Sequence, residues 1–320
     1  MKSYRPLLAV AAALGLWPLA SCRASDAAGT ARAPVTIRVS TGAPAGSFRP
    51  LSEALVAGYA QLMPDIRVEA VATPGSLRNL QELEDGTADL GLAQAGLAHM
   101  AYNGRLPETG RPFRNIRGIA VLNSSPVHVL VGPASRIRSV DDLKEGLVSI
   151  GRDGAAVTSQ LVLRGFFPAD RMPRFDPTSR TTAMLLDNSF DAAFVVSSLP
   201  SAEVLRYTRA GARLLEVRGP AVDSLRTKFP FFRSDIIPAG TYPGQPEPVH
   251  TLSVDVLLLA RAGLDAALVR RLTEGLFRLL PRLSAELPFL KRMDPERAPA
   301  TPVPLHPGAV LYYRERELKR

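Results

Sequence analysis

Two successive runs of alternating strands and helices predict an α/β fold of two lobes, each a mainly parallel sheet wrapped by helices. Three observations carry this reading. Strand–turn–helix units repeat over residues 35–102, a second series runs over 147–217, and a long apolar strand at 249–260 returns late in the chain ahead of a long amphipathic helix. Alternation of this kind buries a parallel sheet under helices on both faces.

The elements follow in order. Residues 35–40 alternate apolar and polar side chains with the period of a strand. A Gly-rich turn leads to 48–63, where Leu51, Leu55, Val56, Tyr59 and Leu62 recur at helical spacing. Residues 66–73 read as a strand, 75–83 as a short helix with Leu77, Leu80 and Leu83 on one face, 88–93 as a buried strand and 94–102 as a helix. Two further strands are expected at 116–122 and 127–131. A short helix opens at Ser139 with Asp141 and Asp142 in its first turn, where the helix dipole favours negative charge. The second series comprises strand 147–151, helices 157–166 and 181–186, strand 191–196, helix 200–209 and strand 213–217. Pro243 to Pro246 interrupt it, strand 249–260 and helix 264–283 follow, and a tail with Pro295, Pro299, Pro302, Pro304 and Pro307 reads as an extended strap before a last short helix. On this pattern 34–131 with 248–320 form one lobe and 132–247 the other. The joining segments fall near Val131 and Gly132 and at 246–249.

The N-terminus carries an address rather than a structural helix. Lys2 and Arg5 precede an apolar run over 7–16, and Leu19-Ala20-Ser21-Cys22 follows. A charged start, a short apolar core and small residues before a cleavage point describe a secretory signal over 1–21. The run is shorter than the roughly 20 residues a bilayer span needs. Cys22 is the single cysteine and has no internal disulfide partner. Leu-Ala-Ser-Cys resembles the bacterial lipobox, which implies acylation at Cys22; the plain alternative is a signal peptide that happens to contain a cysteine. Buried acyl chains gain ~0.8 kcal/mol per methylene, enough for several of them to hold a protein at a membrane. Residues 22–33 are small, polar and alanine-rich, the composition of a flexible tether.

A formal charge of +9 over 320 residues, with 46% hydrophobic and 22% charged residues, describes a globular chain with a substantial core. Export, together with the absence of any basic run interleaved with aromatics, argues against nucleic acid as a partner. The positive field instead favours anionic solutes or an anionic membrane face.

Open α/β sheets bind ligands at the carboxyl ends of their strands. That rule singles out the turns at 41–47, 73–76, 94–97, 151–158 and 197–200. At these turns the chain is similar to the TAXI-type solute-binding subunits of tripartite ATP-independent periplasmic (TRAP) transporters. The resemblance rests on Ser40-Thr-Gly-Ala-Pro-Ala-Gly-Ser-Phe-Arg-Pro50, on Thr73-Pro-Gly-Ser-Leu-Arg-Asn-Leu80, and on Ala88-Asp-Leu-Gly-Leu-Ala-Gln94 with Ala101-Tyr-Asn-Gly104. It rests also on Tyr242-Pro-Gly-Gln245 with Leu305-His-Pro-Gly-Ala309 and Tyr312-Tyr313. Each motif alone is weak, and their order along most of the mature chain gives them weight. The resemblance implies a periplasmic-binding-protein-like fold, two α/β lobes closing by a hinge on a ligand in the cleft between them. It also implies a small organic anion or an amino-acid-like molecule as ligand and the membrane permease of a TRAP transporter as partner. The second lobe departs from the family pattern. Where the family has Val-Gly-x-x-Gly-Ser-Gly-Thr, this chain has Ile150-Gly-Arg-Asp-Gly-Ala-Ala-Val157, so Ala155 and Val157 replace hydroxyl donors. Arg49 stands where the family has an aromatic.

The candidate ligand-binding residues are Thr41, Gly46, Ser47, Arg49, Gly75, Ser76, Asn79, Gln94, Arg152, Ala155 and Ser197. Ser76 and Asn79 lie in the first turn of a helix, whose backbone N–H groups can receive a carboxylate; the alternative for Ser76 is a helix cap. Gln94 offers both a donor and an acceptor, to a ligand or to a neighbouring loop. Arg49 and Arg152 can pair bidentately with a carboxylate or lie solvated on the surface. His99, His128, His250 and His306 lack metal-ligand spacing and read as structural. The chain has no G-x-S-x-G, Walker A or H-E-x-x-H motif. The expectation is therefore a non-enzymatic, cofactor-free, lipid-anchored solute receptor outside the cytoplasmic membrane. A sensor that shares this receptor body but reports to a signalling protein is the alternative. A neighbouring gene for a multi-span permease or for a histidine kinase distinguishes the two.

Overall fold

The computed structural model describes residues 35–44, 46–106, 109–176, 187 and 189–318. The signal expected over 1–21, Cys22, the tether expected to residue 33 and the helix expected at 181–186 lie outside the described residues. The first strand, β1 (Val35–Ser40), buries Ile37 and Val39, as its alternation requires. Helix α1 (Phe48–Leu62) turns Leu51, Leu55 and Tyr59 inward. Strand β2 (Ile66–Val71), helix α2 (Ser76–Asp85), strand β3 (Leu90–Gln94) and helix α3 (Ala95–Tyr102) complete the first series. Strands β1 and β2 run parallel, as do β1 and β3.

The two strands expected at 116–122 and 127–131 are one strand, β4 (Ile116–Val131). The polar stretch Asn123-Ser-Ser-Pro126 reads as a break in sequence, yet it lies inside the strand. Pro126 lacks an N–H to donate, but its carbonyl accepts from Ser197 N at 3.3 Å. A 3₁₀ turn at Val140–Leu143 has the reciprocal cap between Ser139 and Asp142.

The second series is β5 (Leu147–Ser149), α4 (Asp153–Phe166), β6 (Arg174–Asp176), β7 (Ala192–Val196), α5 (Ala202–Arg209), β8 (Arg213–Leu215), α6 (Pro220–Lys228) and β9 (Phe232–Ile237). Strands β5, β6 and β7 are parallel. Strand β10 (Val249–Arg261) then runs antiparallel to β3, β4 and β9. Helix α7 (Ala266–Glu286) is followed by the strap, which is pinned to β4 by a bridge between Gly118 and Leu305, and by helix α8 (Pro307–Glu317).

The sheet order is β2-β1-β3-β10-β4-β7-β5-β6, with β8 on β4 and β9 on β10. Strand β4 therefore belongs to both halves: its N-terminal part pairs with β10, and Val127 to Val131 pair with β7 and β8. Strand β10 likewise pairs with β9 of the second series as well as with β3 and β4. One apolar core continues from Leu80, Leu83 and Leu97 of the first series to Val148, Leu161 and Val162 of the second, so α2 and α3 pack towards α4. A separate core joins α1 and β1 to α7 and α8.

Candidate functional site

The carboxyl ends of the parallel strands surround a cavity of about 440 Å³. The turn after β1 supplies Gly42, Ala43, Gly46, Ser47 and Phe48, and the turn after β2 supplies Pro74, Gly75 and Ser76. Gln94 ends β3. The loop after β5 contributes Gly151, Arg152, Asp153, Gly154 and Ala155. Strand β7 and the turn beyond it contribute Phe194 to Ser197, and the first turn of α5 adds Glu203. This size suits a small organic molecule. A smaller cavity of about 180 Å³ lies among β4, β9, β10 and the segment at 292–297. Two of its charge pairs are direct, Arg292 with Asp235 at 2.6 Å and Arg297 with Asp255 at 3.1 Å. It meets none of the turns that the strand-end rule selects, and it reads as an ionic clasp on the crossing strands.

Of the eleven candidate residues, Gly46, Ser47, Gly75, Ser76, Gln94, Arg152, Ala155 and Ser197 line the larger cavity. Three do not. Thr41 is 2% exposed, and its N–H and hydroxyl both donate to Val71 O, at 2.8 and 3.1 Å, which ties the end of β1 to the end of β2. Asn79 is wholly buried. Its Nδ2 donates to Thr41 O and Leu92 O at 2.7 Å each, and its Oδ1 accepts from Thr73 Oγ1 at 2.6 Å. Helical periodicity placed Asn79 correctly in the first turn of α2, but on the face turned to the sheet. Arg49 pairs with Glu53 at 2.8 Å one turn along α1, with both side chains partly solvated. Nothing in a helical i,i+4 pairing favours the cavity over the neighbouring carboxylate.

Contacts across the cavity floor organise the rest. Ser76 Oγ accepts from Gln94 N at 3.1 Å, and Thr158 Oγ1 donates to Gln94 Oε1 at 2.6 Å, so α4 is tied to the end of β3. The N-cap of α2 is Gly75, which has no side chain to cap with and holds a φ of +152° open chiefly to glycine. The Leu77 N–H of the first turn is taken instead by Asp153 Oδ1, 76 residues away, at 2.8 Å. Asp153 adopts a left-handed φ of +49°, and its carboxylate also accepts from Gly154 N. A Cβ on Gly154 would come within 2.9 Å of Ser76 Oγ, so glycine there permits the close approach of α4 and α2.

The β7 wall is held by a buried triad. Tyr242 hydroxyl accepts from Ser201 N at 2.9 Å and lies 2.9 Å from His128 Nε2. Because that hydroxyl already accepts, it donates to Nε2, which leaves the proton on Nδ1 to reach Val195 O at 3.1 Å. Burial pushes the His128 pKa down to about 4, more than the hydrogen bonds to Val195 and Pro126 offset. Burial also raises the Glu203 carboxyl above its usual range, against the field of Arg206.

Sequence reasoning passed over Asp153, Phe194 and Glu203. The Gly151-Arg-Asp-Gly154 turn was a usable signal for Asp153, since Asp between glycines tolerates the left-handed region. Nothing local marked Glu203, which is an ordinary first-turn acid on α5. Among the described residues no three His, Cys, Asp or Glu side chains converge as a metal site, and no helix is long and apolar enough to cross a membrane.

Solved structures of similar form include MatC from Rhodopseudomonas palustris with bound malate, 17% identical, covering 89% of this chain and 98% of that one at a TM-score of 0.56. A Xanthomonas citri protein bound to ATP is 14% identical over 88% of this chain and 98% of its own, with a TM-score of 0.51. A periplasmic transporter structure is 15% identical over 89% and 93%, also at 0.51. At these identities the likeness establishes the architecture, that of periplasmic binding proteins. The model of the NMT1-like family matches residues 39–316, nearly the whole described chain. The chain therefore belongs to the NMT1-like family.

Proposed function

We propose that this protein is an extracytoplasmic solute-binding lipoprotein that takes a small organic anion or amino-acid-like metabolite into the 440 Å³ cavity and delivers it to the permease of a TRAP-type transporter. The observation that carries the reading is the convergence of five strand-end turns, from both halves of the sheet, on one cavity of ligand size. The motifs shared with TAXI-type subunits support the transport partner, and Leu-Ala-Ser-Cys22 supports the lipid anchor.

Closure is part of the proposal, and the topology supports it. Among the described residues β4 and β10 pair with strands of both series, so bending within them would move α4 and β7 relative to α2 and β3. A solute that touches both sides binds the shut form better and shifts the population towards it. The test is a thermal-shift screen of dicarboxylates, amino acids and keto acids, followed by spin-label distances between α1 and α6. A binder raises the melting temperature by linkage and narrows the distance distribution. If no compound in the screen moves either readout, the receptor reading fails. For the anchor, Cys22→Ser abolishes metabolic lipid labelling; unchanged labelling refutes acylation at this position.

A further inference from the structure

We infer that the cavity selects a solute bearing a cationic nitrogen: Asp153 fills the anion seat at the start of α2, and Glu203 provides the counter-charge to the solute. This rests on the reading of the cavity as the solute site and narrows it to one of the two ligand classes.

The first observation is the seat. A helix N-terminus with a glycine cap presents unsatisfied N–H groups and a positive dipole end, the ordinary receptor for a ligand carboxylate. Here the Leu77 N–H is already bonded to Asp153 Oδ1 at 2.8 Å, and that carboxylate packs against Gly75, where an added Cβ would sit 3.1 Å from it. A free dicarboxylate arriving at this turn meets a like charge where it would need donors.

The backbone of Asp153 supports the same point. A non-glycine residue at φ +49° is strained and persists where the surroundings fix it. The hydrogen bonds to Leu77 N and Gly154 N do so. These hydrogen bonds thus hold a carboxylate at one place on the cavity floor, against the backbone strain.

The third observation is charge. The protein is basic overall, but the ionisable groups of the described lining are Arg152, Asp153 and Glu203, two acids to one base. Among the described residues no ion pair is formed by Glu203, and desolvation raises its pKa against the weaker field of Arg206. A partly buried acid of this kind is stabilised by an incoming ammonium or guanidinium and worsened by an incoming carboxylate. Phe48, Phe194 and Val196 supply apolar wall for the carbon skeleton of such a solute.

The experiment is calorimetric titration of the full-length mature protein with five probes: malate, succinate, L-arginine, L-lysine and putrescine. At least one of the three cationic probes binds, and malate and succinate neither bind nor compete. Glu203→Gln and Glu203→Asp separate charge from shape. Gln weakens the bound cationic probe at least tenfold, and Asp retains most of the affinity, with circular dichroism unchanged in both. Asp153→Gly, which also relieves the backbone strain, gains measurable binding of malate or succinate. Binding of malate or succinate to the wild type overturns the inference while leaving the solute-receptor reading intact. Unaltered affinity in Glu203→Gln, or no dicarboxylate binding by Asp153→Gly, overturns the role given to that residue and with it the selection rule. Binding of none of the five overturns the inference; the broader thermal-shift screen then decides whether the receptor reading falls with it.

Discussion

The two walls of the cavity are built on opposite principles. On the wall made by β1, β2 and β3 the conspicuous polar side chains are used up inside the protein: Thr41 on Val71, Asn79 on Thr41 and Leu92, and Ser76 on Gln94. On the wall made by α4, β7 and α5 Ala155 stands where the TAXI resemblance implies a hydroxyl, and the charges of Arg152, Asp153 and Glu203 line the space. The first wall is a rigid frame whose polar motif shapes the turn. The second presents its ionisable groups to the cavity. A motif is therefore a safer guide to where a site lies than to which of its side chains touch the ligand.

The largest effect that tests this contrast is expected at Asn79. Asn79→Ala strands two buried carbonyls and a buried hydroxyl, at about 1–3 kcal/mol for each unsatisfied group before relaxation. Urea denaturation should show a loss on the order of 3 kcal/mol or more, whereas Ser197→Ala on the opposite wall changes stability by less than about 0.5 kcal/mol. Equal losses in the two variants would remove the distinction between frame and functional wall.

Next in size is the pH dependence set by His128 behind the second wall. Its pKa falls from 6.5 to about 4 on folding. Below pH 6.5 the unfolded chain therefore takes up a proton that the native state refuses until about pH 4. Stability from this group is complete above pH 6.5 and falls with acidification, by roughly 3 kcal/mol at pH 4. The unfolding free energy of His128→Gln should depend less steeply on pH between 6.5 and 4.5 than that of the wild type. Parallel curves would show that the imidazole is not held neutral.

A smaller effect is expected where the walls meet. Gly154→Ala places a methyl 2.9 Å from Ser76 Oγ and 3.1 Å from the Leu97 side chain. Overpacking of this kind costs about 1–3 kcal/mol, and local separation of α4 from α2 relieves it. Spin labels on α2 and α4 should report a longer mean distance than in the wild type; no change would mean that the walls move independently of this contact. The smallest effect belongs to Arg49. Its exposed pair with Glu53 is worth up to about 0.5 kcal/mol, so Arg49→Ala should leave both melting temperature and solute affinity nearly unchanged. A tenfold loss of affinity would place Arg49 in the cavity after all.

What could be read from the amino-acid order was local. Period-two alternation predicted β1, and helical spacing predicted α1, α2 and α7, because each element buries one face and sequence spacing maps directly onto that face. The strand-end rule then picked the turns that enclose the cavity. Elements with weaker patterns escaped. Strand β6 has three residues, and β9 is an edge strand whose polar interior does not alternate cleanly. Helix α6 was announced only by Gly219-Pro220. Strand β4 read as two because its polar middle interrupts the apolar run, although pairing with β10 carries it through.

The amino-acid sequence by itself determined the alternation of elements and the positions of the glycine-rich turns, since backbone preference and hydrophobic period act over a few residues. Only the tertiary structure decided which polar groups those turns keep for themselves. The Asp153 carboxylate finds its donor 76 positions away, and Tyr242 reaches His128 across 114. Such partners are chosen by which buried donors and acceptors remain unmet once the sheet has assembled, and no local pattern encodes that remainder.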